Sequence, residues 1–200
     1  MAVADLTLEG LIHDLNNVFQ TIGESAELLE SDPKWEKLAH TLQRSINRGQ
    51  RIVHSMLDTN RSATELIPII DNATQFCRDY LEFANGPKIE FAHEVAPGFR
   101  LKGDAASWER VLVNLFLNSA QAGARNIRTQ ARDGEIIVSD DGPGISPDLM
   151  PRIFQPRVST KSIISGLGLY VVQSIVEQHG GSVGASNGAQ GGAVFTIRIS

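Results

Sequence analysis

The hydrophobic period of this 200-residue chain changes near residue 62, and this change constrains the fold more than any other feature. Before it, apolar residues recur every three or four positions, which is the spacing of one face of an α-helix. After it, strand-like alternation and helix-like stripes follow one another. The change predicts two domains, an N-terminal one over residues 1–62 and a second one over residues 63–200.

The N-terminal pattern predicts a pair of antiparallel helices. The first apolar stripe runs from Leu8 to Leu29, and a second stripe with near-heptad spacing begins beyond Pro33 and continues to Met56. Two helices of about 25 residues each, packed as a hairpin, would leave much of both stripes in water. We therefore expect a homodimer in which residues 5–60 of two chains form a four-helix bundle.

The second domain is predicted to be an α+β sandwich, with helices on one face of a mixed sheet. Within it, Asp133-Gly134 separates two apolar runs and suits the positive φ values of a type I′ hairpin turn. The helices are predicted at Ile67–Phe83, Ala105–Ala124 and Gly168–His179. The strands are predicted at Lys88–Val95, Arg100–Lys102, Ile127–Ala131, Glu135–Ser139, Ser182–Ser186 and Ala193–Ile199.

Composition and charge exclude several classes of protein. A net charge of -5 and an aromatic content of 6% argue against a nucleic-acid binder, which needs a basic surface and stacking side chains. The single cysteine, Cys77, excludes an internal disulfide and a cysteine-based zinc cluster. The five histidines include no i,i+4 pair on a helix, so a zincin-type metal site is not expected. Because no stretch reaches about 18 apolar residues, we expect a cytoplasmic chain without a membrane segment.

His13 is the candidate reactive residue of the first predicted helix. At 100° per residue it projects about 170° from the centre of the apolar stripe, so we expect its imidazole to face solvent. Asp14 flanks it, and Asn17 lies one turn further on. A plain surface histidine explains this pattern, and so does a phosphoryl acceptor whose second ring nitrogen is held by a carboxylate. In the latter case Asn17 would orient a water against an acyl phosphate.

Three segments of the second domain carry polar groups or glycines at positions suited to a ligand. Asn114 and Asn118 lie one turn apart in an otherwise apolar helix, so both amides point off one face and need polar partners. Asp140 follows an apolar strand and opens the turn Asp140-Asp141-Gly142-Pro143-Gly144. Gly166-Leu167-Gly168 begins the last helix, where unpaired N–H groups attract anions.

Together these segments resemble the core of two-component sensor histidine kinases. His13-Asp14-Leu15-Asn16-Asn17 resembles the H-box of the subgroup that reads H-D-x-N-N. Residues 108–196 resemble, in the expected order, the boxes of the Bergerat-type ATPases, a group that includes gyrase B, Hsp90 and MutL. The asparagine pair is similar to the N-box and the turn after Asp140 to the first glycine box. The segments Ile153–Lys161 and Ser165–Leu169 are similar to the F-box and the second glycine box.

The resemblance implies a Mg²⁺- and ATP-dependent protein histidine kinase. It would phosphorylate His13 and pass the phosphoryl group to an aspartate of a response-regulator receiver domain, with dephosphorylation of the receiver as a further activity. Asp14 would be the base or orienter, Asn118 the Mg²⁺ ligand, and Asn114 a support for the phosphates or for a water. Asp140 would accept a hydrogen bond from the adenine amino group. The other implied nucleotide-binding residues are Gly142, Gly144, Lys161, Gly166, Leu167 and Gly168.

The sequence also departs from the family pattern. Ile164 stands where the second glycine box usually has another glycine, and Ala120 lies where a basic residue often follows the N-box. These departures leave open a phosphotransfer adaptor that no longer uses ATP. A Bergerat-type ATP-binding module without kinase activity is the other alternative, although Asn114 stands where such ATPases carry a glutamate base. Gly191-Gly192 is interpreted as an ordinary hairpin turn.

Overall fold

The computed structural model describes residues 8–30, 34–55, 63–156 and 167–199. The chain divides into two compact units, Met1–Asn60 and Arg61–Ser200, and each is described by itself. Within the described ranges, none of the helices combines the length and the apolar character that a membrane crossing requires.

The first unit is a hairpin of two helices, as the apolar stripes predict: α1 (Leu8–Glu30) and α2 (Glu36–Ser55). The helices run antiparallel, because Phe19 of α1 lies against Gly49 of α2, whereas Gly23 lies nearest to Ile46. A Cβ atom at Gly49 would stand 2.5 Å from Phe19 Cζ. The missing side chain at this position therefore makes the space in which the phenylalanine ring packs.

The wide apolar stripe of α1 divides into two faces in the hairpin. One face is covered by α2, and its residues Ile12 and Ala26 are only 4% and 1% exposed. The other face stays in water, with Leu11 at 54%, Val18 at 53% and Ile22 at 39% exposure. A single hairpin thus leaves a row of aliphatic side chains unburied, which is the situation that the width of the stripe predicts.

The described part of the second unit contains a mixed sheet and three α-helices, as predicted. The sheet has five strands: β2 (Glu90–Val95), β4 (Asn126–Arg132), β5 (Glu135–Asp140), β6 (Ser182–Asn187) and β7 (Ala193–Arg198). They stand in the order β2-β4-β5-β7-β6, with β2 and β4 parallel and the other neighbours antiparallel. The helices are α3 (Leu66–Phe83), α4 (Ala105–Ala122) and α5 (Gly168–Gln178). A separate antiparallel ribbon joins the predicted β3 (Arg100–Lys102) to a strand that was not predicted, β1 (Ala63–Glu65).

Local chemistry sets the ends of α4 and of the central hairpin. Asp104 caps the start of α4 by accepting a hydrogen bond from the Ser107 backbone nitrogen at 2.7 Å. Gly123 takes a left-handed φ of 101°, so the helix ends two residues before the predicted end. Between β4 and β5, Asp133 and Gly134 have φ values of 51° and 77°, as a type I′ turn requires.

The core lies between the helices and one face of the sheet. Alternate strand residues such as Ile127, Ile136 and Phe195 join Leu112 and Phe116 of α4 in a single buried cluster. Successive side chains of a strand point to opposite faces, so every second residue of β5 faces the helices. This alternation runs Ile136, Val138, Asp140. The carboxylate of Asp140 therefore lies on the face of the sheet that packs against the helices.

Candidate functional site

Asp140 is held by hydrogen bonds from three other parts of the second unit. Its Oδ1 accepts from the backbone nitrogens of Gly142 at 2.9 Å and Ala193 at 3.0 Å. Its Oδ2 accepts from the Ser119 hydroxyl at 2.6 Å. A carboxylate has about four acceptor positions, so these donors fill three of them. Among the described residues, one acceptor position is left, and it lies on Oδ2.

The turn after Asp140 is tied to the end of β6. The Asn187 side chain accepts from the Ile145 backbone nitrogen at 2.7 Å and donates to the Ile145 carbonyl at 2.8 Å. Gly144 has a φ of 77°, and a Cβ atom there would stand 2.8 Å from Asn187 Oδ1. Both the positive φ and the close approach of Asn187 therefore require glycine at this position.

Gly191-Gly192 lies in the turn of the β6–β7 hairpin, as interpreted, but Gly192 also has a contact with Asp140 that was not predicted. Gly192 is buried with a φ of 77°, and a Cβ atom there would overlap the carbonyl oxygen of Asp140. A Cβ atom at Gly191 would have no atom of the described residues within 4 Å. Only Gly192 of the pair is packed against Asp140, and this close packing brings the Ala193 backbone nitrogen within reach of the carboxylate.

The N-box pair and the start of α5 come together. Asn114 and Asn118 are both half-buried, and a Cβ atom at Gly168 would lie 3.4 Å from Asn114 Oδ1 and 3.6 Å from Asn118 Nδ2. The Asn114 amide also donates to the Arg110 carbonyl at 2.8 Å, which fixes its orientation. The neighbouring Leu167 is 45% exposed. The predicted residues Lys161 and Gly166 lie outside the described residues, as does Ile164.

The residues predicted to act on the hairpin lie on α1. Asp14 and Asn17 are exposed, and further along the same outer face Gln20 donates to Glu24 at 3.1 Å. His13 belongs to α1 by its backbone, and the predicted orientation of its side chain falls outside the described part of the structure.

Comparison with known proteins finds a matching family and similar kinases. Residues 103–200 match the family of histidine kinase-, DNA gyrase B-, and HSP90-like ATPases. The chain is 32% identical over 208 residues to the sensor histidine kinase ZraS of Klebsiella oxytoca, covering 95% of this chain and 44% of ZraS. It is 25% identical over 218 residues to the sensory histidine kinase/phosphatase NtrB of Vibrio alginolyticus, covering 98% of this chain and 62% of NtrB.

The solved structure of the mycobacterial sensor histidine kinase MprB is similar with a TM-score of 0.57 at 26% identity, over 70% of this chain and 97% of that one. The chain has the catalytic core of a two-component histidine kinase. This kinase core spans less than half the length of ZraS, 44% of it.

The position after Asp140, where the family usually has asparagine, has a structural role in this kinase core. Asp141 accepts from the backbone nitrogens of Arg125 at 2.7 Å and Asn126 at 2.9 Å, and from the Asn126 side chain at 2.7 Å. The hydrogen bond from the Asn126 side chain, followed by the backbone ones, lowers the pKa of Asp141 to about 2. The ionised carboxylate thus joins the end of β5 to the beginning of β4.

The kinase core's N-box fits Mg²⁺. The ion prefers oxygen ligands, keeps several waters, and needs only one or two protein groups beside the substrate phosphates. The Asn114 Oδ1 atom lies next to Gly168, whereas the Asn118 atom nearest to that glycine is Nδ2. A side-chain amide can offer its oxygen as a ligand to such an ion. The described residues contain no group of three histidine, cysteine or acidic side chains that would form a cage of protein ligands.

Sequence reasoning missed three residues that build the site around Asp140: Ser119, Asn187 and Gly192. Ser119 carried a weak signal, because it is a polar residue on the apolar face of α4. Gly192 carried a signal that was interpreted as a turn. Asn187 is hydrogen-bonded to Ile145, which lies 42 residues away in the chain, so its position in the sequence gave no signal.

Proposed function

We propose that this chain is a homodimeric protein histidine kinase that uses Mg²⁺ and ATP. It transfers the γ-phosphoryl group to His13 and then to an aspartate of a response-regulator receiver domain. The observation that carries the proposal is the carboxylate of Asp140, fixed by three donors with one acceptor position left. Similarity to ZraS over 95% of the chain supports the same function.

The second unit has the groups that a nucleotide needs. The free acceptor position on Asp140 Oδ2 suits the amino group of adenine, which donates. Asn114, whose amide is fixed by the Arg110 carbonyl, and the N-terminal N–H groups of α5 suit the phosphates. Mg²⁺ held by Asn118 would neutralise phosphate charge while the phosphoryl group moves. The contribution of the protein is then mainly positioning.

The hairpin supplies the acceptor. One ring nitrogen of neutral His13 attacks the γ-phosphorus, the bond from phosphorus to the ADP oxygen breaks, and ADP leaves. The proton on the other ring nitrogen is held by Asp14, which keeps the phosphorylated ring in one orientation. A receiver carboxylate next attacks the same phosphorus, the N–P bond breaks, and an acyl phosphate forms. His13 is then neutral again.

The exposed row of Leu11, Val18 and Ile22 supports the proposed dimer. A second copy of the hairpin presents the same row, and the two rows together would bury each other in a four-helix bundle. Because the row consists of aliphatic side chains on one helix face, it suits self-association better than a contact with a charged partner.

Incubation of the full chain with γ-labelled ATP and Mg²⁺ tests the proposal. We expect acid-labile label on the wild type and on His40→Ala, which removes an exposed histidine of the same hairpin. His13→Ala should carry no label. Label that persists on His13→Ala contradicts the proposed acceptor. A folded wild type that binds nucleotide but takes no label favours the ATP-binding module, and one that binds no nucleotide favours the adaptor.

Dephosphorylation of the receiver is a second proposed activity of the hairpin. Asn17 is exposed one turn beyond His13, where it can orient a water, and NtrB is named as a kinase and phosphatase. We expect Asn17→Ala to slow the loss of label from a phosphorylated receiver at least fivefold while labelling of His13 continues. Equal rates of loss with wild type and variant would contradict this role.

A further inference from the structure

We propose that Ser119 is a positioning residue that aims Asp140 at the base and sets the preference for a 6-amino over a 6-oxo purine. The inference rests on the proposed nucleotide site and adds a residue that would determine its specificity for the base. The Ser119 hydroxyl donates to Asp140 Oδ2 at 2.6 Å. That distance is typical of a charge-assisted bond between a hydroxyl and a carboxylate, which is stronger than a neutral one.

The burial of Ser119 shows why it has to make this bond. Its exposure is 2%, in a stretch of α4 where Leu115, Phe116 and Ala120 are buried as well. A buried hydroxyl without a partner costs free energy, and Asp140 is the partner that the fold supplies. The bond spans 21 residues and joins the helix with the N-box pair to the end of β5.

Ser119 and the backbone bind different oxygens of the Asp140 carboxylate. The Gly142 and Ala193 nitrogens hold Oδ1, whereas the Ser119 hydroxyl donates to Oδ2, the atom with the free acceptor position. Without the hydroxyl, Oδ1 would still be held, but Oδ2 could turn within the space that the serine leaves. The direction of the free acceptor position therefore depends on Ser119.

This arrangement gives the site a chemical preference. With its other acceptor positions filled by donors, the carboxylate meets the base as an acceptor. A 6-amino group donates to it, whereas a 6-oxo group would place two acceptors against each other. Sites built around one hydrogen bond reject the analogue that lacks it, because a buried group is then left unpaired. Loosening Oδ2 should weaken the bond to the amino group and relax the rejection of the oxo group.

Titration of the full chain with Mg²⁺ and two non-hydrolysable nucleotides tests the inference: the imido analogue of ATP and its inosine counterpart. We expect the wild type to prefer the adenine form. Ser119→Ala should lose about tenfold in affinity for it, the size expected for a hydrogen bond to a charged group. The affinity for the inosine form should change less than about twofold. Ser119→Thr, which keeps the hydroxyl, should restore most of the preference.

Thr74→Val is the matched control. Thr74 of α3 is 8% exposed, and its hydroxyl has no hydrogen-bond partner within the described part of the chain. Removing this second buried hydroxyl should leave the affinities for both nucleotides unchanged. If Ser119→Ala does not fold, Ser119→Cys, which has a weak donor of similar size, takes its place in the comparison.

Equal weakening of both nucleotides by Ser119→Ala would show a structural role alone and overturn the inference. An unchanged affinity for both would overturn it as well. A folded wild type that binds neither nucleotide would overturn the proposed nucleotide site first, and this inference with it. The two failures are therefore distinguished by the wild-type titration.

Discussion

The two units of this chain differ in how far apart in the sequence their candidate site residues lie. On the hairpin, the candidate acceptor and its neighbours are consecutive residues from His13 to Asn17, and one helical period relates them. In the second unit, Asp140 gains its environment from residues far away in the chain, among them Ser119 and Gly192. The residues of a site on one helix can be predicted from the local sequence. In a site assembled around a sheet, only a few of the residues can be predicted in this way.

The largest expected effect on stability and nucleotide binding comes from substitution of a glycine, Gly192. Gly192→Ala would place a methyl group on the Asp140 carbonyl and force alanine into a positive φ. We expect a loss of unfolding free energy of at least about 3 kcal/mol and loss of nucleotide binding. Urea denaturation and a nucleotide titration measure the two effects.

Gly191→Ala is the control for that change, because Gly191 has a φ of 98° but no atom of the described part of the chain lies within 4 Å of the added Cβ. It should cost about 1 kcal/mol from the positive φ alone and leave nucleotide binding intact. Equal effects of the two substitutions would show that contact with Asp140 is not what makes Gly192 necessary. The claim that residues distant in the chain position Asp140 would then be contradicted for Gly192.

The same difference explains how much the sequence could predict. The helices, the mixed sheet and the type I′ turn followed from periodicity and turn chemistry. The N-box pair stood out by its spacing, and Asp140 by the resemblance of its glycine-rich turn to the first glycine box. Strand β1 escaped because three residues, Ala63–Glu65, are too few to show a period. Asn187 escaped because its partner, Ile145, is near it only in the folded sheet. The first case is a lack of local signal in a short strand, and the second is a contact between residues that are far apart in the chain.

The hairpin gives the second test, since its packing depends on one glycine. Gly49→Ala gains about 1 kcal/mol of helix propensity but presses a methyl group onto Phe19, so we expect a net loss of about 1 kcal/mol. Gly23→Ala meets its nearest atom only at 3.9 Å and should stabilise the hairpin by up to about 1 kcal/mol. Thermal unfolding followed by circular dichroism distinguishes the signs. Stabilisation by both variants would contradict the packing described at Gly49.

The smallest expected effect concerns pH and the Asp141 contacts. Its pKa of about 2 lies below the ordinary value near 4, so the ionised form stabilises the fold. This contribution is complete above about pH 4 and is lost as the pH falls through about 2. Because Asp141 is exposed, solvent screening limits it to about 1 kcal/mol or less. Asp141→Asn should flatten the fall in melting temperature between pH 4 and 2, and an identical fall would contradict this account.

Calorimetric titration of Asp140→Asn with Mg²⁺ and the imido analogue of ATP tests the central claim most directly. The variant keeps the size of the side chain and acceptors for the backbone donors, so it should fold. Its amide can replace the free acceptor position by a donor. The account predicts binding by the wild type and at least a hundredfold weaker binding by the variant. Equal affinities of the two folded proteins would contradict it.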